Sequence, residues 1–263
     1  MKRILTALAA LALVAGSAVP SLAGMLDDIR SRGTVRIGVS LGGEPIGFRD
    51  DQNNPVGYDV DVAKLLAEKL GVPFEFTDVS GDARISMLVS GQLDIVVANT
   101  SATLERAKSV DFTIPYNRAG LRIIAQADSG IKSLDDLAGK KVLVGRGTTG
   151  ETFIKKAAPQ AELVYVDTFA PDGVLQLQQK RVDAAIEDSS LLDYLATKNS
   201  SLVTLPGLYS NDPISIAVAK GDPEFVRWLD MFVSEYIQSG AYEANYKKWW
   251  GDTANPPKLN PIW

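Results

Sequence analysis

Cysteine and histidine are both missing from these 263 residues. Without cysteine there is no disulfide, no lipid-modified N-terminal thiol and no thiolate nucleophile. Without histidine the commonest general base near neutral pH is gone, together with the commonest neutral metal ligand. The two absences leave almost no material for a zinc site, so neither a metal nor a cofactor is expected. Past the N-terminal segment there is no apolar run of about 18 residues, the length a membrane-spanning helix needs. Short repeats, low-complexity tracts and long charge runs are lacking too, which predicts a chain that is globular throughout. Basic residues are in deficit, 27 against 32 acidic, so nucleic acid and anionic membrane are poor partners for the surface.

What is present at the start is an address. Met1-Lys2-Arg3 leads into an apolar stretch from Ile4 to about Val19, then Ser21-Leu22-Ala23, a small-x-small cleavage signal. Residues 1–23 are expected to be a secretory signal peptide, which places the mature chain most simply in a bacterial periplasm. Its removal takes away Lys2 and Arg3 and no acid, leaving 25 basic against 32 acidic residues. The remaining length suffices for one large core or two modest ones.

Strand-type runs alternate with helical ones, which predicts an α/β architecture. Val35–Val39 reads as the first strand, the stripe Val62, Leu65, Leu66, Leu70 as a helix stopped by Gly71, and Phe74–Thr77 as the second strand. The chain is organised around residues 91–116. Leu93–Ala98 is a buried strand that ends in Asn99, Thr100, Ser101 and Thr103 before Arg106. Open α/β sheets bind ligands at the carboxyl ends of their strands. Arg106 there offers a planar fork of donors suited to a carboxylate, or a surface ion pair with Glu105 or Asp111. A crossing between two lobes is expected near Asn117, with Ile214–Ala219 crossing back.

Three further motifs invite chemistry. Gly38-Val39-Ser40-Leu41-Gly42 spells a nucleophile elbow, but without histidine no Ser-His-Asp triad can form, and Ser40 is read as a small polar residue at a cleft edge. Gly145-Arg146-Gly147-Thr148-Thr149-Gly150 follows a strand, opens a helix and has Asp167 about twenty residues on, the spacing of a dinucleotide fingerprint. An exported protein meets little nicotinamide cofactor. The free amides of such a helix start would bind any anion, a carboxylate included. Glu187-Asp188 ends a buried strand, where paired acids suit an ammonium group, a solvated loop or acid-base catalysis. Asp59 and Asp61 open a helix, as the helix dipole favours, and are read as structural. Tyr246, Trp249 and Trp250 are read as packing.

Together these residues resemble the family 3 bacterial extracellular solute-binding proteins, the periplasmic polar amino-acid receptors of ABC importers. Gly57-Tyr58-Asp59-Val60-Asp61-Val62 with Leu66, Ala67 and Leu70 fits the family signature. Thr103 to Arg106 fits T-x-x-R, Asp111 to Tyr116 fits D-F-x-x-P-Y, and Gly147 to Phe153 fits G-T-T-x-E-T-F. The resemblance implies the type II periplasmic binding protein fold, two α/β lobes of mixed sheets flanked by helices and joined by two crossing strands, closing on a ligand by hinge motion. Lobe 1 would comprise residues 24–117 and 213–263, and lobe 2 residues 118–212. It implies that Arg106 clamps the α-carboxylate with Ser101, Thr148 and Thr149, and that Asp188 takes the α-ammonium. Thr100 would stand beside them. Relatives that stack a side chain on aromatics have glycine counterparts here, Gly43 and Gly81, so no aromatic wall is expected. Arg84 matches an arginine that faces a distal carboxylate, and Asn99 adds a donor, so an acidic amino acid is the first expectation. Ser40 departs from that pattern, where a second basic residue is usual, and nearby Glu44 would repel a carboxylate, which leaves small polar and cysteine-like ligands open. The expected partner is the membrane permease of an ABC importer, with the binding protein itself a monomer; presentation of the ligand to a membrane sensor is a further possibility. Cyclohexadienyl dehydratases share the likeness, and there Glu187 or Asp188 would act as a general acid.

Overall fold

The computed structural model describes residues 24–262 apart from 168 and 171. The expected signal peptide, residues 1–23, lies outside the described residues. Among these, no helix is long and apolar enough to cross a membrane.

Two five-stranded sheets organise the chain. The first contains β1 (Val35–Val39), β4 (Phe74–Asp78), β5 (Ile95–Val96), β6 (Val110–Ala119) and β12 (Asp212–Ala219), in the order β4-β1-β5-β12-β6. Here β1, β4 and β5 run parallel, while β12 runs antiparallel to β5 and β6. The second contains β7 (Leu121–Gln126), β8 (Lys141–Gly145), β9 (Glu162–Val166), β10 (Ala184–Asp188) and β11 (Leu202–Thr204), in the order β11-β7-β10-β8-β9. A small hairpin, β2 (Phe48–Arg49) with β3 (Pro55–Val56), flanks the first sheet's opening loop.

Helices cover the faces. α1 (Met25–Arg32), α2 (Tyr58–Leu70), α3 (Ala83–Val89), α7 (Pro223–Gln238) and α8 (Ala241–Trp250) serve the first sheet; α4 (Thr149–Ala157), α5 (Asp172–Gln178) and α6 (Ser189–Lys198) serve the second. Each sheet is apolar on both faces, as a strand buried between helix layers requires. In the first lobe Tyr58, Leu66, Tyr116, Phe225 and Leu229 pack on one face, and Val79, Leu88, Leu93 and Val96 on the other. α7 shows why these residues form helices. Asp222 accepts from the Phe225 amide at 2.8 Å, Pro223 follows it, and Phe225, Leu229, Phe232, Val233 and Tyr236 then recur on one buried face.

The chain passes between the sheets twice. β6 runs straight into β7 with only Gly120 between them, and the return lies between β11 and β12. The two crossing segments touch so closely that a Cβ on Gly120 would stand 2.2 Å from the Ser210 carbonyl oxygen, so only glycine fits there. Val35–Val39, the helix ending at Leu70 and the strand from Phe74 stand where the sequence reading puts them, whereas Leu93–Ala98 pairs as strand only over Ile95–Val96, and β2, β3 and β11 had no counterpart in that reading.

Candidate functional site

The carboxyl ends of the strands of both sheets meet across an interlobe cleft that encloses a cavity of about 80 Å³. The first lobe contributes Ser40, Gly42 and Gly43 after β1, Arg84 from α3, and Asn99 and Ser101 after β5. The second contributes Thr148 and Thr149 at the start of α4, Phe169 after β9, and Glu187 and Asp188 at the end of β10.

Asp188 is buried, and its Oδ2 accepts from Asn99 Nδ2 across the cleft at 2.6 Å. Its Oδ1 is buried without a partner. A buried carboxylate oxygen left unpaired costs about 1–3 kcal/mol or more, which makes Asp188 a ready acceptor for an incoming cation. Burial pushes its carboxyl well above the usual carboxylate range, with Glu187 and Asp212 adding to the effect and Asn99 and Arg84 opposing it. Glu187 is raised as well, by burial first, against the pull of the Asp188 amide, Arg84 and Arg106.

Arg106 stands at the cavity's edge and does not line it. Its Nη1 donates to the Ser101 carbonyl at 2.8 Å and its Nη2 to the Gly147 carbonyl of the opposite lobe at 3.0 Å. Burial, then the neighbouring Arg84, pull its pKa down to about 10, while Asp188, Asp212 and Glu187 counteract them. Arg84 is buried in the cavity wall, where Nη1 donates to the Ala98 carbonyl at 2.6 Å and Nε has no partner. Asn99 holds a left-handed φ of 45° at this point, a conformation asparagine tolerates better than most residues.

α4 begins where the glycine-rich loop ends. Thr148 caps it, accepting from the Glu151 amide at 3.2 Å and donating to the Gly145 carbonyl at 2.8 Å. Gly147 serves lobe contact: a Cβ there would lie 2.7 Å from Asp82 Cα in the first lobe. Asp167, the residue a dinucleotide would need for its ribose, instead pairs with Arg146 at 3.5 Å on the cavity rim.

Several expectations are corrected. Thr100 is not part of the cavity: it is wholly buried and its hydroxyl donates to the Ala98 carbonyl. Glu44 faces away from the cavity and accepts from the Tyr194 hydroxyl at 2.6 Å on the far side of the lobe seam. An aromatic wall does exist, because Phe169 is brought in by the loop after β9, with Ile46 and Leu191 beside it. Its only signal in the sequence was a large apolar residue just past a strand's carboxyl end. Gly43 and Gly81 do not leave open space where aromatics might stand. A Cβ on Gly43 would meet Ala170 Cβ at 2.7 Å, and one on Gly81 would meet the Arg146 carbonyl oxygen at 2.6 Å, so the glycines let the lobes touch. Asp59 and Asp61 are structural as read: Asp59 accepts from the Tyr116 hydroxyl at 2.8 Å, and Asp61 from Trp249 Nε1 at 2.8 Å. Tyr246 and Trp250 stack at 4.3 Å as packing.

Known proteins resemble this chain in sequence and fold. The chain is 30% identical over 255 residues to the L-cystine-binding protein TcyJ of Escherichia coli (strain K12), covering 95% of this chain and 96% of that one. The solved solute receptor for L-cysteine of Neisseria gonorrhoeae superposes with a TM-score of 0.83 at 29% identity, over 88% of this chain and 97% of the other. The P235GK mutant of ArgBP from T. maritima superposes with a TM-score of 0.82 at 35% identity, over 87% and 100% respectively. The two lobes are thus those of the type II periplasmic amino-acid-binding fold. The profile of one family matches residues 35–252, and the chain belongs to the bacterial extracellular solute-binding proteins, family 3.

Proposed function

We propose that this protein captures a polar amino acid between its lobes and delivers it to the permease of an ABC importer, after export with residues 1–23 as the cleaved leader. The observation that carries the reading is Asp188: a buried carboxylate with one oxygen unpartnered, on the wall of an interlobe cavity. An α-ammonium is the group that best satisfies it. The carboxylate of the same zwitterion would take the amides at the start of α4 and the guanidinium of Arg106, exchanging for the Gly147 carbonyl that Arg106 now holds. Relatives named for cystine, cysteine and arginine support an amino acid as the ligand class. The moving units in this reading are residues 24–117 with 213–263, and residues 118–212, with the hinge at the paired crossings beside Gly120.

The sequence alone sets an acidic side chain on the ligand opposite Arg84. The small cavity and Glu187 in its wall support a small polar side chain instead. A thermal-shift screen against the twenty amino acids tests the proposal, since a ligand that binds only the folded state raises the midpoint. Arg106→Ala and Asp188→Ala are each expected to weaken that ligand by roughly thirty-fold to several thousand-fold in calorimetry, the range for stripping one member from a buried charge pair. Unchanged affinity in both variants would remove the assignment.

A further inference from the structure

The two acids at the end of β10 face different groups. Asp188 reaches across the cleft to Asn99. Glu187 stays over its own sheet: Oε1 accepts from the Asp188 amide at 3.3 Å, and Oε2 lies 3.4 Å from where a Cβ on Gly145 would stand. That glycine keeps the space clear, since the same Cβ would also press on Thr148 Cγ2 at 2.8 Å. Gly145, Thr148 and Glu187 therefore form one stretch of the cavity wall, and Arg84 lines the same cavity from the other lobe.

Charge counting then separates the roles. Two guanidiniums, Arg84 and Arg106, and two carboxylates, Glu187 and Asp188, surround the cleft and interact with one another. A zwitterion held by Arg106 and Asp188 leaves Arg84 and Glu187 for its side chain. One arm of Arg84 is already engaged with the Ala98 carbonyl, whereas Glu187 lines the cavity with its Oε2 beside Gly145. A carboxylate side chain would set a second negative charge against Glu187 in a site shielded from water, where like charges repel strongly. A hydroxyl, thiol or amide would instead find an acceptor already in place.

We infer that Glu187 selects the ligand's side chain, accepting a hydrogen bond from a small neutral donor and turning away acidic amino acids. This rests on the reading of the cleft as an amino-acid site, which Arg106 and Asp188 carry for every ligand alike. Cavity size sets the other limit, favouring side chains of serine or cysteine length.

Calorimetry of the full mature chain against L-serine, L-cysteine, L-glutamine, L-aspartate and L-glutamate tests it. Wild-type protein is expected to bind a neutral member of this set best. Glu187→Gln, which keeps the shape and loses the charge, should weaken that ligand about tenfold to a hundredfold and strengthen L-aspartate or L-glutamate by a similar factor. Glu187→Asp should keep the wild-type order of preference. An unchanged neutral-to-acidic ratio in Glu187→Gln overturns this inference and leaves the amino-acid reading standing. Wild-type preference for an acidic ligand overturns it whatever the variants do. If wild-type protein binds none of the twenty amino acids, the reading of the cleft fails and this inference with it.

Discussion

Asp59 is the residue whose burial has the clearest thermodynamic signature. It sits at the start of α2, wholly buried, with Oδ2 unpartnered, and its pKa is pushed up to about 7 by burial against the opposing Tyr116 hydroxyl, Asn99 amide and Arg84 charge. Between its ordinary value near 4 and this raised one, the folded protein keeps a proton that the unfolded chain has released. Its contribution to stability is therefore full below about pH 4 and is lost as pH rises through about 7. Asp59→Asn removes the slope. Urea melts should show the variant gaining on wild type between pH 5 and pH 8 by a few kcal/mol, on the order of the shift itself; a constant difference at both pH values would contradict the assignment. At this scale sequence reading succeeded for types and failed for facing. Asn99 and Ser101 were legible as cleft residues, whereas nothing in residue type set Thr100 apart from them, though the structure buries it with its hydroxyl on the Ala98 carbonyl. Asp94 was not legible at all: it is a fully buried acid that pairs with Arg36 at 2.6 Å and with Arg32, two arginines far off in the chain.

Among the elements, the segment from β8 to α4 shows how a motif can be right in form and different in use. Strand, glycine turn and capped helix stand where the spacing predicts them, so the local geometry was readable. What was not readable is that Gly147 meets the opposite lobe, because such a contact depends on the closed arrangement of the two sheets. Gly81 in the loop before α3 is the cleanest probe. A Cβ there would stand 2.6 Å from the Arg146 carbonyl oxygen, a backbone atom that cannot turn aside. Gly81→Ala is expected to leave the melting temperature of the free protein nearly unchanged while lowering ligand affinity about tenfold or more, since the closure-competent fraction falls. Small-angle scattering should then show no ligand-induced compaction. Full compaction at unchanged affinity would mean the lobes close without that contact.

For the molecule as a whole, the alternation of strands and helices made the two-sheet architecture legible, because each unit buries its own core and announces it in its own periodicity. The contacts holding the lobes together were not legible: Ala170 N–H donates to the Gly42 carbonyl at 2.8 Å, and the Tyr194 hydroxyl to Glu44 at 2.6 Å. Ile46, from the loop after β1, is buried among Phe169, Leu191 and Leu192 of the other lobe. These are surface residues of each lobe taken alone, so nothing in their local pattern marks them.

Trp250 belongs to the same seam. It packs against the apolar clusters of both lobes, and its indole Nε1 donates to the Ser190 carbonyl at 2.8 Å. An indole that loses such a partner to water changes its emission, so the protein carries its own optical reporter of whether it has shut. Titration with a captured solute should shift tryptophan fluorescence to the blue, and Trp250→Phe should silence most of that signal while sparing the uptake of heat. Stopped-flow light could then time each grasp and release on the unlabelled chain.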